Sequence, residues 1–214
     1  MTLIVGIRLD EFSILASDKR EVTLVNDTVK QITSDHINKI VDWGEGFISG
    51  SGYVPILSAL KKKLSDATIS STDDILELAK IASTTAIDNI ISKKEKEYWM
   101  NRTHWYVTYR AMGSHDSIEP RITIFCANTE KVRSVSNMNV VFSNSFNESD
   151  FLRDSLSSQL KPASQFETTQ DNLNFHLGLL PEVFSRANLA LETVSKEFDV
   201  AVQFNDGTHF KSWE

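Results

Sequence analysis

Thr2, Asp18 and Lys39 are the residues of this 214-residue chain whose types and positions could do chemistry together. A threonine hydroxyl is a weak nucleophile at neutral pH, but Thr2 has only Met1 ahead of it. A small second residue permits removal of the methionine, after which Thr2 presents a hydroxyl and a free α-amine. An α-amine titrates at about 7.7 to 8.0, far closer to neutrality than a lysine, so it can take the hydroxyl proton as a general base. A threonine paired with its own terminal amine is a recognised way to activate such a nucleophile. Lys39 lies in INKIVDW, where alternation puts it on one face with Ile37, Val41 and Trp43 and aims an ammonium at apolar surroundings. The alternative is a lysine snorkelling from an edge strand. Close to the terminal amine, its charge would disfavour protonation of that amine, and Asp18 would keep the lysine charged. Asp18 ends the second strand pattern, and an odd-length turn about Asp10 sets it across from Thr2. Its alternative is a turn residue at a strand end.

The elements that must position these groups are legible along the chain. TLIVGIRL and FSILASD alternate about Asp10-Glu11 and read as a β-hairpin, and residues 20–34 read as a polar twisted ribbon. INKIVDW and GFISG form a second hairpin turned at Gly44-Glu45-Gly46. Helical spacing follows from Tyr53, with Pro55 in the first turn and Ile56, Leu57, Leu60 and Leu64 on one face. SSTDD caps a longer helix carrying Ile75, Ala79, Ala82, Ala86 and Ile90, with SKKEKE as its solvated end. Strand patterns return in HWYVTYRAM, RITIFCAN and NVVFSNS. Two helical segments then fall near ESDFLRDSLSSQL and LLPEVFSRANLALETV, and a hairpin turned at Asn205-Asp206-Gly207 closes the chain. Hairpins in both halves argue against a parallel Rossmann sheet. The order predicts an α+β fold, a four-layer αββα sandwich of two antiparallel sheets flanked by helices, in one domain over residues 1–214.

Composition narrows the partners. The chain is 41% hydrophobic and 24% charged, the mix of a packed globular protein. A net charge of -7 argues against nucleic acid or anionic membrane, which are held chiefly by excess Lys and Arg. A single cysteine, Cys126, excludes an internal disulfide and reads as a buried, inert thiol in a reducing compartment. Arg8 and Asp10 interrupt the first apolar stretch, and no run approaches the roughly 20 residues of a membrane helix, so a cytoplasmic location is expected. There is no glycine-rich phosphate loop, and His36, His104, His115, His176 and His209 show no metal-ligand spacing. No cofactor and no metal are expected.

The stretches TLIVGIRLDEFSILASDKR, NKI and FISGSGYVPIL resemble the N-terminal third of proteasome β-type subunits and their bacterial relatives HslV and Anbu, which are N-terminal-nucleophile (Ntn) hydrolases. FDVAVQFNDGTHF is similar to their closing hairpin, and the element order agrees throughout, although the likeness is motif-specific only over about the first 60 residues. The resemblance implies the Ntn-hydrolase fold, with Thr2 matching the nucleophile, Asp18 the acid ending the second strand and Lys39 the lysine of the third. Gly50 in ISGSG matches the glycine whose N–H helps form an oxyanion hole. FSNSFNES departs from the family's Gly-Ser-Gly turn, so the serine that bonds the terminal amine matches Ser145, with Ser143 as competitor. The family's Asp-x-x-Ser ahead of the last hairpin has neither residue in register in ETVSKEFDVAV.

The function implied is a threonine-type endopeptidase acting on peptide or unfolded protein inside a homo-oligomeric ring or stack. An ATP-dependent unfoldase is an implied partner, since no ATP site lies in this chain. Two other readings are a non-catalytic ring or scaffold subunit and an Ntn amidase for small amides. Against the scaffold, α-type subunits carry a helical extension before the first strand, and none precedes Thr2 here.

Overall fold

The computed structural model describes residues 2–25, 28–90, 92–113, 116–128, 132–143 and 148–213. Strands β1 (Ile4–Arg8) and β2 (Phe12–Asp18) form the first hairpin. Leu9 N–H donates to Phe12 C=O at 3.0 Å, which leaves Asp10-Glu11 as a two-residue loop, the commonest hairpin connection. That even loop pairs Ile4 with Ser17 and corrects the expected register, because Asp18 stands across from Leu3 and not from Thr2. Asp18 N–H accordingly donates to Leu3 C=O at 3.1 Å.

Every residue of β2 is buried, as a central strand requires. It lies between β1 and β11 (Phe198–Phe204), with β10 (Asn139–Phe142) beyond β1 and β12 (His209–Trp213) beyond β11. A second five-stranded sheet runs in the order β5 (Ile40–Asp42), β6 (Phe47–Ser51), β7 (His104–Met112), β8 (Ile118–Cys126), β9 (Val132–Ser134). All these pairings are antiparallel. The ribbon expected over residues 20–34 is the pair β3 (Glu21–Val25) and β4 (Thr28–Ser34), irregular in register at two points.

The sheets pack on each other through Ile4, Leu15, Ile40, Phe47, Tyr106, Ile122, Val141 and Ala201. Helices α1 (Val54–Asp66) and α2 (Thr72–Ile87) cover the second sheet, setting Ile56, Leu60, Ile75 and Ala79 against Ile48, Trp105 and Val107. Helices α4 (Ser149–Gln159), α5 (Thr169–Leu177) and α6 (Leu180–Ala190) cover the first, through Leu156, Leu173, Phe184 and Ala187 against Val5, Ile14 and Val200. The result is the expected four-layer αββα sandwich of two antiparallel sheets flanked by helices.

Three local expectations change. SKKEKE is not the frayed end of α2 but opens a separate helix α3 (Lys93–Arg102), whose Ser92 side chain accepts the N–H of Glu95. Helix α5 escapes the periodic reading because two of its three buried residues, Asn172 and His176, are polar. Cys126 is half-buried, with its thiol facing Met100 C=O at 3.3 Å. Among the described residues no helix is long and apolar enough to cross a membrane, and no group of His, Cys, Asp and Glu could hold a metal ion.

Candidate active site

Thr2 leads directly into β1 and is only 9% exposed. Its carbonyl accepts the hydroxyl of Ser143 at 2.7 Å and that of Ser51 at 3.3 Å. The Ser143 oxygen also accepts Ile4 N–H at 2.8 Å, so one serine beyond the end of β10 fixes the chain on both sides of Leu3. Ser143, the competitor, is thus at the site, whereas Ser145 lies outside the described residues.

Asp18, at the end of β2, is fully buried, and it gathers donors from four segments. Its Oδ1 accepts Leu3 N–H at 2.9 Å, and its Oδ2 accepts Arg20 N–H at 3.0 Å and, more weakly, Ser195 N–H at 3.5 Å. Lys39 Nζ sits 3.0 Å from each oxygen and donates to Arg20 C=O at 2.6 Å. The lysine is 8% exposed, which rules out a snorkelling ammonium. Burial pushes the Asp18 carboxyl up and the Lys39 ammonium down, and each partner pulls the other back toward its charged form. Such a pair holds together because its remaining lone pairs and protons find partners.

Arg20 anchors this arrangement from outside. Its guanidinium grips Asp35 as a fork, at 2.6 and 3.1 Å, and donates to Glu192 C=O at 2.8 Å. The fork holds the Asp35 carboxyl below the usual carboxylate range. Ser195 Oγ accepts Lys19 N–H at 2.9 Å and donates to Glu197 C=O at 2.7 Å, which ties the approach to β11 to the end of β2. No serine is expected in register in ETVSKEFDVAV, yet Ser195 stands beside Asp18, its N–H 3.5 Å from Oδ2. The signal was the spacing Glu192-x-x-Ser195 itself, with Glu in place of Asp.

Gly50 lies in β6. The β5–β6 register pairs Ile40 with Ser49, so one further step brings Gly50 level with Lys39. A Cβ on Gly50 would fall 2.4 Å from Leu57 Cδ2 and 3.0 Å from Trp105 Cδ1, so any side chain here would force Leu57 aside. Beside it opens a cavity of about 290 Å³ that Thr2, Lys39 and Gly50 all border, with Ile37, Ile48, Leu57 and Trp105 in its walls. Four of the five expected site residues thus fall among the described residues, with Asp18 behind Lys39 and the other three on the cavity. A hydroxyl, a buried cation and a backbone edge around one apolar-walled cavity can position an amide carbonyl for acyl transfer.

No protein-family model matches the chain, and no curated protein matches it. Among solved structures it is similar to a Gly-1 mutant of Anbu from Hyphomicrobium sp. strain MC1, with a TM-score of 0.62 and 13% identity over 100% of this chain and 87% of that one. At that identity the likeness shows the fold, and the chemistry has to be argued from the side chains.

Proposed function

We propose that this chain is an N-terminal threonine hydrolase that cleaves peptide bonds. The observation that carries the reading is the shared cavity, on which Thr2, Lys39 and Gly50 converge from three separate strands or strand ends. With Met1 removed, the Thr2 amine takes the hydroxyl proton while Oγ attacks the scissile carbonyl carbon. The carbonyl electron pair moves to oxygen, where the N–H of Gly50 stabilises it; one such donor is worth about 10²–10³ in rate. The intermediate collapses with loss of the C–N bond, and the ammonium proton goes to the leaving amine. Water then attacks the Thr2 ester, with the amine again as base, and releases the acid.

The supporting residues act by charge and position. Lys39 disfavours protonation of the nearby amine, so the base is neutral closer to pH 7. Asp18 fixes Lys39 and the backbone next to the nucleophile, and Ser143 and Ser51 hold the Thr2 carbonyl so that its side chain keeps one orientation. Apolar side chains left exposed on both helical layers, Ile81 on α2, Phe151 on α4 and Leu189 on α6, support assembly into a ring or stack of identical copies. Such a chamber would take peptides or unfolded protein, the latter delivered by an ATP-dependent unfoldase.

The test is intact mass spectrometry after exposure to an electrophile selective for terminal threonine. A chain beginning at Thr2 gains one adduct at that residue, and Thr2→Ala gains none. A verified Thr2 terminus that neither labels nor cleaves any peptide in a broad library would sink the hydrolase reading in favour of a scaffold subunit.

A further inference from the structure

The cavity beside Thr2 contains one lysine whose ammonium meets no carboxylate among the described residues. Lys61, on α1, donates from Nζ to the C=O of Asn38 at 2.9 Å and forms no ion pair there. The other cations on the same wall are engaged. Lys39 is held by Asp18 and Arg20 C=O, and the Arg20 guanidinium by Asp35 and Glu192 C=O. Two N–H donors of Lys61 are therefore left for an occupant.

Thr2 and Lys61 border the same cavity, whose walls include the apolar side chains of Ile48, Leu57 and Trp105. A side chain entering beside the attacked carbonyl would lay a hydrocarbon stem along that surface and bring its end to the ammonium. We propose that Lys61 makes this cavity selective for an acidic side chain, glutamate first, so that the peptidase cleaves after acidic residues. The inference rests on the hydrolase reading above and adds the substrate class to it. Glutamate suits the site because its methylenes can pack on the apolar wall and its carboxylate accepts charge-assisted hydrogen bonds.

The electrostatics agree with that placement. Burial first, and then the charge of Lys39, hold the Lys61 ammonium below the ordinary lysine range, so an entering carboxylate relieves a cation that the fold alone leaves undercompensated. Glu21, on the same wall, acts on Lys61 through space without contacting it. An incoming carboxylate competes with Glu21 for the same charge.

The experiment pairs a turnover measurement with a binding measurement on the full-length assembled protein. Peptides identical except for Glu, Gln, Leu or Lys before the scissile bond are compared by kcat/KM. N-acetylated tetrapeptides ending in Glu or Gln are titrated calorimetrically into the Thr2→Ala variant. The expected result is a preference for Glu over its isostere Gln of roughly tenfold or more in both assays, reduced to near parity by Lys61→Met and turned toward Lys by Lys61→Glu. Equal use of Glu and Gln, or a Glu-to-Gln ratio that Lys61→Met leaves unchanged, overturns the proposal. The two readings fail separately. Cleavage without a Glu preference removes only the selectivity, whereas Lys61-dependent binding of the Glu peptide with no cleavage and no Thr2 adduct removes only the hydrolase.

Discussion

Of the two Asp18 oxygens, each 3.0 Å from Lys39 Nζ, Oδ1 also accepts the N–H of Leu3 at 2.9 Å. A single carboxylate thus fastens the buried lysine to the residue immediately after Thr2, and any displacement of one is felt by the other.

Asp18→Asn keeps the shape of that link and removes its charge. Lys39 is then a buried cation with no counter-charge, a situation that typically costs about 3–5 kcal/mol. Urea unfolding of Asp18→Asn should show a loss of that order, and adding Lys39→Met should return part of it. If the double variant is as unstable as the sum of the two single variants, the pair is not energetically coupled.

Lys39→Ala tests the chemistry. A lysine without a role would change activity little, whereas loss of a group that tunes the base should slow Thr2 labelling about a hundredfold or more. The pH profile carries a sign as well. Removing a nearby positive charge raises the pKa of the Thr2 amine, and the reaction needs the neutral amine, so the rising limb of rate against pH should move to higher pH. Lys39→Arg should not rescue, because a planar fork cannot place one compact cation against three oxygens at 2.6 to 3.0 Å. Full activity in Lys39→Ala would remove the proposed role.

Gly50→Ala introduces a methyl 2.4 Å from Leu57 Cδ2. Overpacking of that kind costs typically about 1–3 kcal/mol, and here it also narrows the cavity. Leu57→Ala in the same chain should make room and recover stability relative to Gly50→Ala alone, read as the melting temperature. A Gly50→Ala protein as stable as the parent would show that α1 and β7 can part without cost.

His176 gives an acid limb to stability. The ring is fully buried, with Nδ1 bonded to Asn172 C=O at 2.8 Å and Nε2 accepting Lys161 N–H at 3.2 Å, so it is held neutral. Burial lowers its pKa below the ordinary 6.5. The unfolded chain therefore takes up the proton first, so stability is full above about 6.5 and falls as pH drops from there toward the folded-state pKa. His176→Phe, among Phe12, Phe166 and Phe175, should flatten this part of the urea midpoint's fall between neutral and acid pH. An unchanged slope would assign the acid limb to carboxylates instead.

Much of this architecture is written in local pattern. Alternation marked β1, β2, β6, β7 and β8, and the capping box of Ser71 with Asp74 marked the start of α2. The direction of Lys39 followed from the same alternation. Distance along the chain defeats such reading. Ser195 reaches Asp18 across 177 residues, and the spacing Glu192-x-x-Ser195 marks the serine without naming a partner so far away. The hairpin register failed for a different reason. Strand patterns do not say whether Asp10 alone or Asp10-Glu11 turns, and that one residue decides whether Thr2 or Leu3 faces Asp18.

The position of the first hairpin inside its sheet has a temporal consequence. β1 and β2 leave the ribosome well before their outer neighbours β10 and β11, which begin only at Asn139 and Phe198. Ser143 lies 139 residues after Ile4, and Glu192 lies 172 after Arg20. A growing chain therefore holds Thr2 from early in its synthesis without the strands that complete its surroundings, so the arrangement around Thr2 closes only after β10 and β11 have been made.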